Sequence, residues 1–129
     1  MILSGADDSL LKVTSLANQK PFFVLNNHTD IINSARFSPD SRLICSSSLD
    51  NTVKLFDVNQ KRLFHTFDKY THPVRSVRFH PDGTCIATAG GDREVNVSIK
   101  YSFYLFINEF IYFAILDFRY KIKTSNPKV

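Results

Sequence analysis

Tryptophan is absent from this chain of 129 residues, and methionine (one), cysteine (two) and glycine (four) are scarce. Each shortage excludes something. Without tryptophan there is no indole N–H to serve as a buried donor. Cys45 and Cys85 each lie inside an apolar run, so they read as buried thiols of a reducing compartment and not as a disulfide framework. Neither has the near partner that a zinc site needs, and His28, His65, His72 and His80 lack paired ligand spacing. No phosphate-cradling glycine loop exists, since Gly90-Gly91 reads as a turn; no metal or cofactor is expected. Charge of one sign never accumulates: 16 Lys and Arg are interspersed with 12 Asp and Glu for a net +4, which predicts a mixed solvated surface and no nucleic-acid footprint. The start, MILSGADDSL, has neither a charged region nor a long apolar stretch, so no secretory signal is expected and the cytoplasm is the default location. The sequons at Asn27 and Asn96 then read as chance matches.

What is present is a repeat. SSSLDNTVKLFD at Ser46 to Asp57 returns 42 residues later as TAGGDREVNVSI and 42 earlier as SGADDSLLKVTS. ARFSPD at Ala35 returns as VRFHPD at Val77, and the sets Asp8, Asp50, Asp92, then Ser4, Ser46, Thr88, then Phe22, Phe64, Phe106 share the same interval of 42. Within one period the local signals are those of strands. Ile32 to Phe37 and Val74 to Phe79 are short β-branched and apolar patterns that end at Pro-Asp, a tight-turn signal. Leu43 to Ser48 and Cys85 to Ala89 follow, then Thr52 to Val58 and Glu94 to Ile99, whose alternation suits half-buried strands, and then Arg62 to Phe67. Four short strands in about 42 residues predict one blade of a β-propeller, and the fold class is all-β.

HTDIINSARFSPDSRLICSSSLDNTVKLFDV resembles a WD repeat, in which His, Ser-Pro-Asp, Asp and Trp-Asp recur at these positions. FSPDSRLI and DNTVKLFDV followed by FHPDGTCIA are similar, more narrowly, to the proteome-of-centriole (POC) family of WD-repeat proteins. The resemblance implies a hydrogen-bonded set in each blade, formed by a His, a strand hydroxyl, a turn Asp and a strand aromatic. His28, Ser46, Asp50 and Phe56 take these places in the middle repeat, with Asp57 kept beside Phe56. Phenylalanine packs as tryptophan would but brings no N–H donor. Tyr70, Thr88, Asp92 and Ser98 fill the places in the next repeat, and Ser4, Asp8 and Thr14 in a leading partial one. Ser, His and Asp also make nucleophile triads. The recurrence of these types at blade spacing, and the lack of a nucleophile-elbow sequence at Ser46, make an architectural role the expectation; no catalytic residue is nominated and the chain is not expected to be an enzyme. By the same resemblance, partner contacts fall to Asp30, Asn33 and Leu49 in one blade and to His72, Arg75 and Gly91 in the next. Ser38-Pro39 matches a proline-directed phosphorylation site, but its repeat counterpart is His80-Pro81, so turn geometry is the simpler reading.

The expected organisation is a partial first blade over residues 1–27, a complete repeat over 28–69, a second over 70–107 and a divergent tail over 108–129. Closed propellers use about four to eight blades. An incomplete propeller is therefore expected, able to self-associate through open blade edges. From Tyr101 onward the composition changes, with nine of the chain's seventeen aromatics in KYSFYLFINEFIYFAILDFRYKIK. Three readings of this tail stay open: a membrane segment, which its shortness and Asn108-Glu109 disfavour; a packed helix or strands; or a divergent end that is no blade sequence. In the second reading Tyr104 to Ile107 takes the fourth-strand slot, with Phe106 in phase, and Leu116 to Lys121 alternates like a strand. The functional expectation is a non-enzymatic scaffold that binds other proteins. The POC resemblance implies centriole or basal-body assembly and cilium formation, with a cytoskeletal, centriolar location. The alternatives are an adaptor of a ubiquitin-ligase, signalling or chromatin complex and a membrane-tethered fragment.

Overall fold

The computed structural model describes residues 1–68 and 70–91, and beyond them the backbone of strands at 94–99, 103–107, 110–114 and 118–123. The strands in chain order are β1 (Ile2–Gly5), β2 (Leu11–Thr14), β3 (Pro21–Leu25), β4 (Ile32–Phe37), β5 (Leu43–Ser48), β6 (Val53–Asp57), β7 (Arg62–Phe67), β8 (Val74–Phe79), β9 (Cys85–Gly90), β10 (Glu94–Ile99), β11 (Phe103–Ile107), β12 (Phe110–Ala114) and β13 (Phe118–Lys123). Among the described residues there is no helix. All pairings are antiparallel, and the sheets are β1-β2-β3, β4-β5-β6-β7, β8-β9-β10-β13 and the hairpin β11-β12. The chain is thus a run of blades, the second of them complete in sequence order.

The turns follow from local chemistry. Asp8, Asp40, Asp50 and Asp82 each accept, through a side-chain oxygen, the backbone N–H two residues on. The residue between is in the left-handed region each time: Ser9, Ser41, Asn51 and Gly83. An Asx turn of this kind satisfies the backbone donors of a tight strand reversal. Packing then comes from the pleat. Alternate residues of β2 and β5 point to opposite sides, so each sheet contributes one face to each neighbour. Leu11, Val13 and Leu25 of the first sheet meet Ile32, Ile44 and Phe56 of the second. Cys45, Val53, Leu55 and Phe67 on the other face of the second sheet meet Tyr70, Val74, Val77 and Ile86 of the third. Burying each such large side chain contributes about 1.5–3 kcal/mol. Cys45 is buried as expected, and burial pushes its thiol up to about 12; Cys85, expected to be buried as well, is only half-buried.

The outer place in the third sheet differs from expectation. Phe118–Lys123 lies beside β10, with Glu94 opposite Lys123 and Ile99 opposite Phe118, while Phe103–Ile107 pairs instead with Phe110–Ala114. The repeat interval locates a strand by its distance from the last copy. An inserted hairpin breaks that ruler and carries the pairing strand further along the chain.

The irregularities repeat as faithfully as the strands. A bulge leaves Asn33 without a partner between Ile32↔Ser48 and Ser34↔Ser47, and another leaves Arg75 without one between Val74↔Gly90 and Ser76↔Ala89. A second pair of register shifts falls between Val13 and Thr14 and between Leu55 and Phe56, bulging the partner strands at Phe22 and Phe64. A bulge bends its strand and re-aims one side chain.

Candidate functional site

The turn after β5 and the loop before β4 come together at one end of the second sheet. His28 lies in that loop with its side chain 1% exposed, and Asp50 lies in that turn with its side chain 5% exposed. His28 Nδ1 is 2.8 Å from Asp50 Oδ2, and His28 Nε2 is 2.6 Å from Ser46 Oγ. Asp50 Oδ2 also accepts the Thr29 N–H at 3.1 Å, and its Oδ1 accepts the Thr52 N–H at 2.9 Å and the Thr52 hydroxyl at 2.6 Å. Below this set, Phe56 is fully buried and meets the His28 ring edge-on, with centroids 6.4 Å apart. Ser48 Oγ extends the set by donating to the Asp30 carbonyl at 3.1 Å and accepting the Asp50 N–H.

Burial lowers the His28 pKa, and the attraction of Asp50 does not make up the difference, so the ring is neutral at pH 7. The neutral ring has one donor and one acceptor. Nδ1–H donates to Asp50, and Nε2 accepts the Ser46 hydroxyl proton. Burial also pushes the Asp50 carboxyl up, but the hydrogen bonds from Thr52, His28 and Thr29 outweigh it and hold its pKa below the usual carboxylate range. The arrangement superficially matches a nucleophile, base and orienting acid. Ser46, however, is 0% exposed and embedded in the middle of a sheet, where no substrate carbonyl can approach. Its chemistry is that of a satisfied polar network, which fixes one loop against one turn.

The other copies differ. In the third sheet Tyr70 takes the histidine place and its hydroxyl lies 2.9 Å from Thr88 Oγ1, both residues being buried. Asp92 lies outside the described residues. In the first sheet Ser4 is exposed and makes no side-chain hydrogen bond among the described residues, while Asp8 is occupied by Lys12 Nζ at 2.8 Å and by the Leu10 N–H. Asp57 stands apart from the network and accepts the Gln60 N–H at the following turn. Thr52 was not singled out by sequence reasoning, although the Asp-x-Thr spacing, seen again with the same two bonds at Asp82 and Thr84, carries the signal. Ser38 is buried, with its hydroxyl bonded to Asp40 and to the Leu43 N–H, so it belongs to a turn.

The candidate contact residues gather on the loop end above the network. Asp30, Asn33, His72, Arg75 and Gly91 are exposed and Leu49 is half-buried. Backbone bonds from Leu49 N–H to Ile31 O and from Gly91 N–H to Pro73 O tie the loops of each blade together. Asn33 and Arg75 are the two bulge residues. Asn33 Nδ2 donates to the Val74 carbonyl at 3.0 Å and so links the second blade to the third. Arg75 makes no hydrogen bond or ion pair among the described residues. Among the described residues no three His, Cys, Asp or Glu side chains come together as metal ligands, and no helix is long and apolar enough to cross a membrane.

The family model described as WD domain, G-beta repeat, matches the chain twice, over residues 19–57 and 61–97. A search among curated proteins returned no match.

Proposed function

The chain belongs to the WD domain, G-beta repeat family, and from that membership we propose that it works as a non-enzymatic scaffold, binding other proteins through its loop end. The observation that carries this reading is the pair of bulges at Asn33 and Arg75. Each turns one polar side chain out of the strand ladder at the end where Asp30 and His72 are also exposed. The buried polar network keeps its own hydrogen-bonding groups for itself and holds these loops in place. The surface above it is therefore presented without a cost of ordering when a partner binds. Arginine is favoured in interface hot spots, and Arg75 is free to take that part.

The partner class we propose is centriolar protein, with a cytoplasmic, cytoskeletal location and a role in centriole or basal-body assembly and cilium formation. This rests on the likeness of FSPDSRLI, DNTVKLFDV and FHPDGTCIA to the POC family. Proximity labelling from a tagged copy in dividing cells tests both levels. Enrichment of centriole components, lost on Arg75→Ala with Asp30→Ala, supports the reading. A diffuse signal with no centriolar enrichment ends the centriolar part, and a protein set indifferent to the two substitutions ends the loop-end part.

A further inference from the structure

Each four-stranded sheet has its first strand as an edge, β4 in the second sheet and β8 in the third, and these two edges lie side by side. Two side-chain bonds tie them together. Asn33 Nδ2 donates to the Val74 carbonyl at 3.0 Å, and Arg78 Nη1 donates to Ser34 Oγ at 3.3 Å. β4 reads INSARF and β8 reads VRSVRF, so the pair of edges carries three arginines, no lysine and no acid. Arg36 and Arg78 hold the same place 42 residues apart, and both are exposed. Each folds its guanidinium back onto the carbonyl of the residue before it, at 2.7 Å for Arg36 and 2.9 Å for Arg78. Apart from the Ser34 bond of Arg78, the rest of each donor fork has no partner among the described residues. Arg36 is paired across the ladder with Cys45, whose side chain packs against the third sheet, and the charges of both arginines act on that one thiol. Among the described residues no carboxylate lies within ion-pair reach of either guanidinium. The acids at the strand ends are held locally: Asp30 by the Ile31 N–H, Asp40 by the Ser38 hydroxyl and the Arg42 N–H, and Asp82 by Thr84.

We propose that the seam between β4 and β8 is a binding site for a small polyphosphate anion, held by Arg36 and Arg78 with the Ser34 hydroxyl between them. Two like charges on neighbouring strands repel, and a bound anion removes that cost. The guanidinium fork meets phosphate oxygens through two parallel N–H···O bonds, a match that lysine cannot make, and the basic residues of both strands are all arginine. Ser34 Oγ accepts the long bond from Arg78, so its own proton is left for a phosphate oxygen. Stacked sheets stand about 10 Å apart, a gap that a chain of phosphates bridges and a single phosphate does not. One carboxylate is satisfied by one fork and leaves the other unused. The site uses neither bulge side chain of the loop end, so it stands or falls independently of the proposed function.

The test is titration calorimetry of the full chain with sodium tripolyphosphate at about 0.15 M ionic strength. One ion is expected to bind per chain, and its excess should raise the unfolding midpoint. Arg36→Ala and Arg78→Ala should each weaken binding at least about tenfold, and Ser34→Ala several-fold. Arg78→Lys, which keeps the charge and loses the fork, should also weaken it several-fold. Arg62→Ala removes the same charge from the opposite edge of the second sheet and should change binding less than about twofold. Inorganic phosphate should bind at least about tenfold more weakly than tripolyphosphate. The proposal is overturned if tripolyphosphate does not bind, or if Arg62→Ala weakens it as much as Arg78→Ala, since diffuse surface charge is then all that is read. It is also overturned if inorganic phosphate binds equally well or a hexa-aspartate peptide binds more tightly, because a single phosphate or an acidic polypeptide is then the occupant.

Discussion

Ser4 and Ser46 stand at the same point of two successive blades and meet opposite fates. Ser46 is sealed in the sheet and shares its proton with His28, while Ser4 is exposed and its hydroxyl bonds to nothing described. Asp50 and Asp8 differ in the same way. Both close an Asx turn, but Asp50 also holds His28, Thr29 and Thr52, whereas Asp8 holds a surface lysine. The sequence signature is therefore not sufficient for the network. The burial that gives its hydrogen bonds their strength comes from the strands around it. In the second blade β5 is paired to β4 as well as β6, whereas among the described residues β1 is paired to β2 alone.

The largest effect that can break this comparison lies in the aromatic place. Phe56→Ala removes a fully buried ring and should cost about 3–5 kcal/mol in a denaturant melt, whereas Thr14→Ala in the first blade should cost less than about 1 kcal/mol. Equal losses would mean that the first blade is as well packed as the second. Next is the turn carboxylate. Asp50→Ala strands the buried His28 ring N–H and takes the acceptor from the Thr29 and Thr52 N–H groups, and should cost about 3 kcal/mol. Asp8→Ala, at a fully exposed site, should leave the melt unchanged within error.

Acid sharpens the contrast further. The His28 pKa is lower in the fold than its ordinary value of about 6.5, so the unfolded chain binds the proton more readily. The stability this supplies is complete above about pH 6.5 and is lost as the pH falls below it. Asp50, lowered from about 3.8, adds a second loss of the same sign at still lower pH. Melts between pH 7.5 and 5 should show falling stability in the parent chain and a shallower slope in His28→Gln. The smallest effect concerns Ser47, whose hydroxyl is fully buried with no partner among the described residues, in the place that Ala89 and Gly5 occupy one blade either side. Ser47→Ala should stabilise the chain by about 1 kcal/mol.

Much of this was legible in the order of residues. The bounds of Ile32–Phe37, Leu43–Ser48, Arg62–Phe67, Val74–Phe79 and Glu94–Ile99 follow directly from apolar alternation and the turn chemistry that ends each run. His28, Ser46 and Asp50 came from the likeness to a WD repeat, which fixes residue type and interval but not burial. That is why Ser4 and Asp8 looked equivalent to them and are not. Thr52 was missed because a threonine at the head of a strand looks like ordinary β-propensity until its hydroxyl is placed against Asp50. The bulges at Asn33 and Arg75 were not visible either, since a repeat that bulges at the same place twice keeps its period of 42. One reading of the tail had a strand at Leu116 to Lys121, close to β13, but its place beside β10 escaped for the opposite reason: the hairpin before it breaks the period.

The most direct measurement is a pair of double-mutant cycles on stability, Ser46→Ala with Asp50→Ala and Ser4→Ala with Asp8→Ala. The two residues of the second blade communicate only through His28, so their losses should be coupled by about 1 kcal/mol or more, while those of the first blade should add. Additive losses in the second blade, or equal coupling in both, would contradict the claim that the recurring residues form a network only where a covering strand buries them.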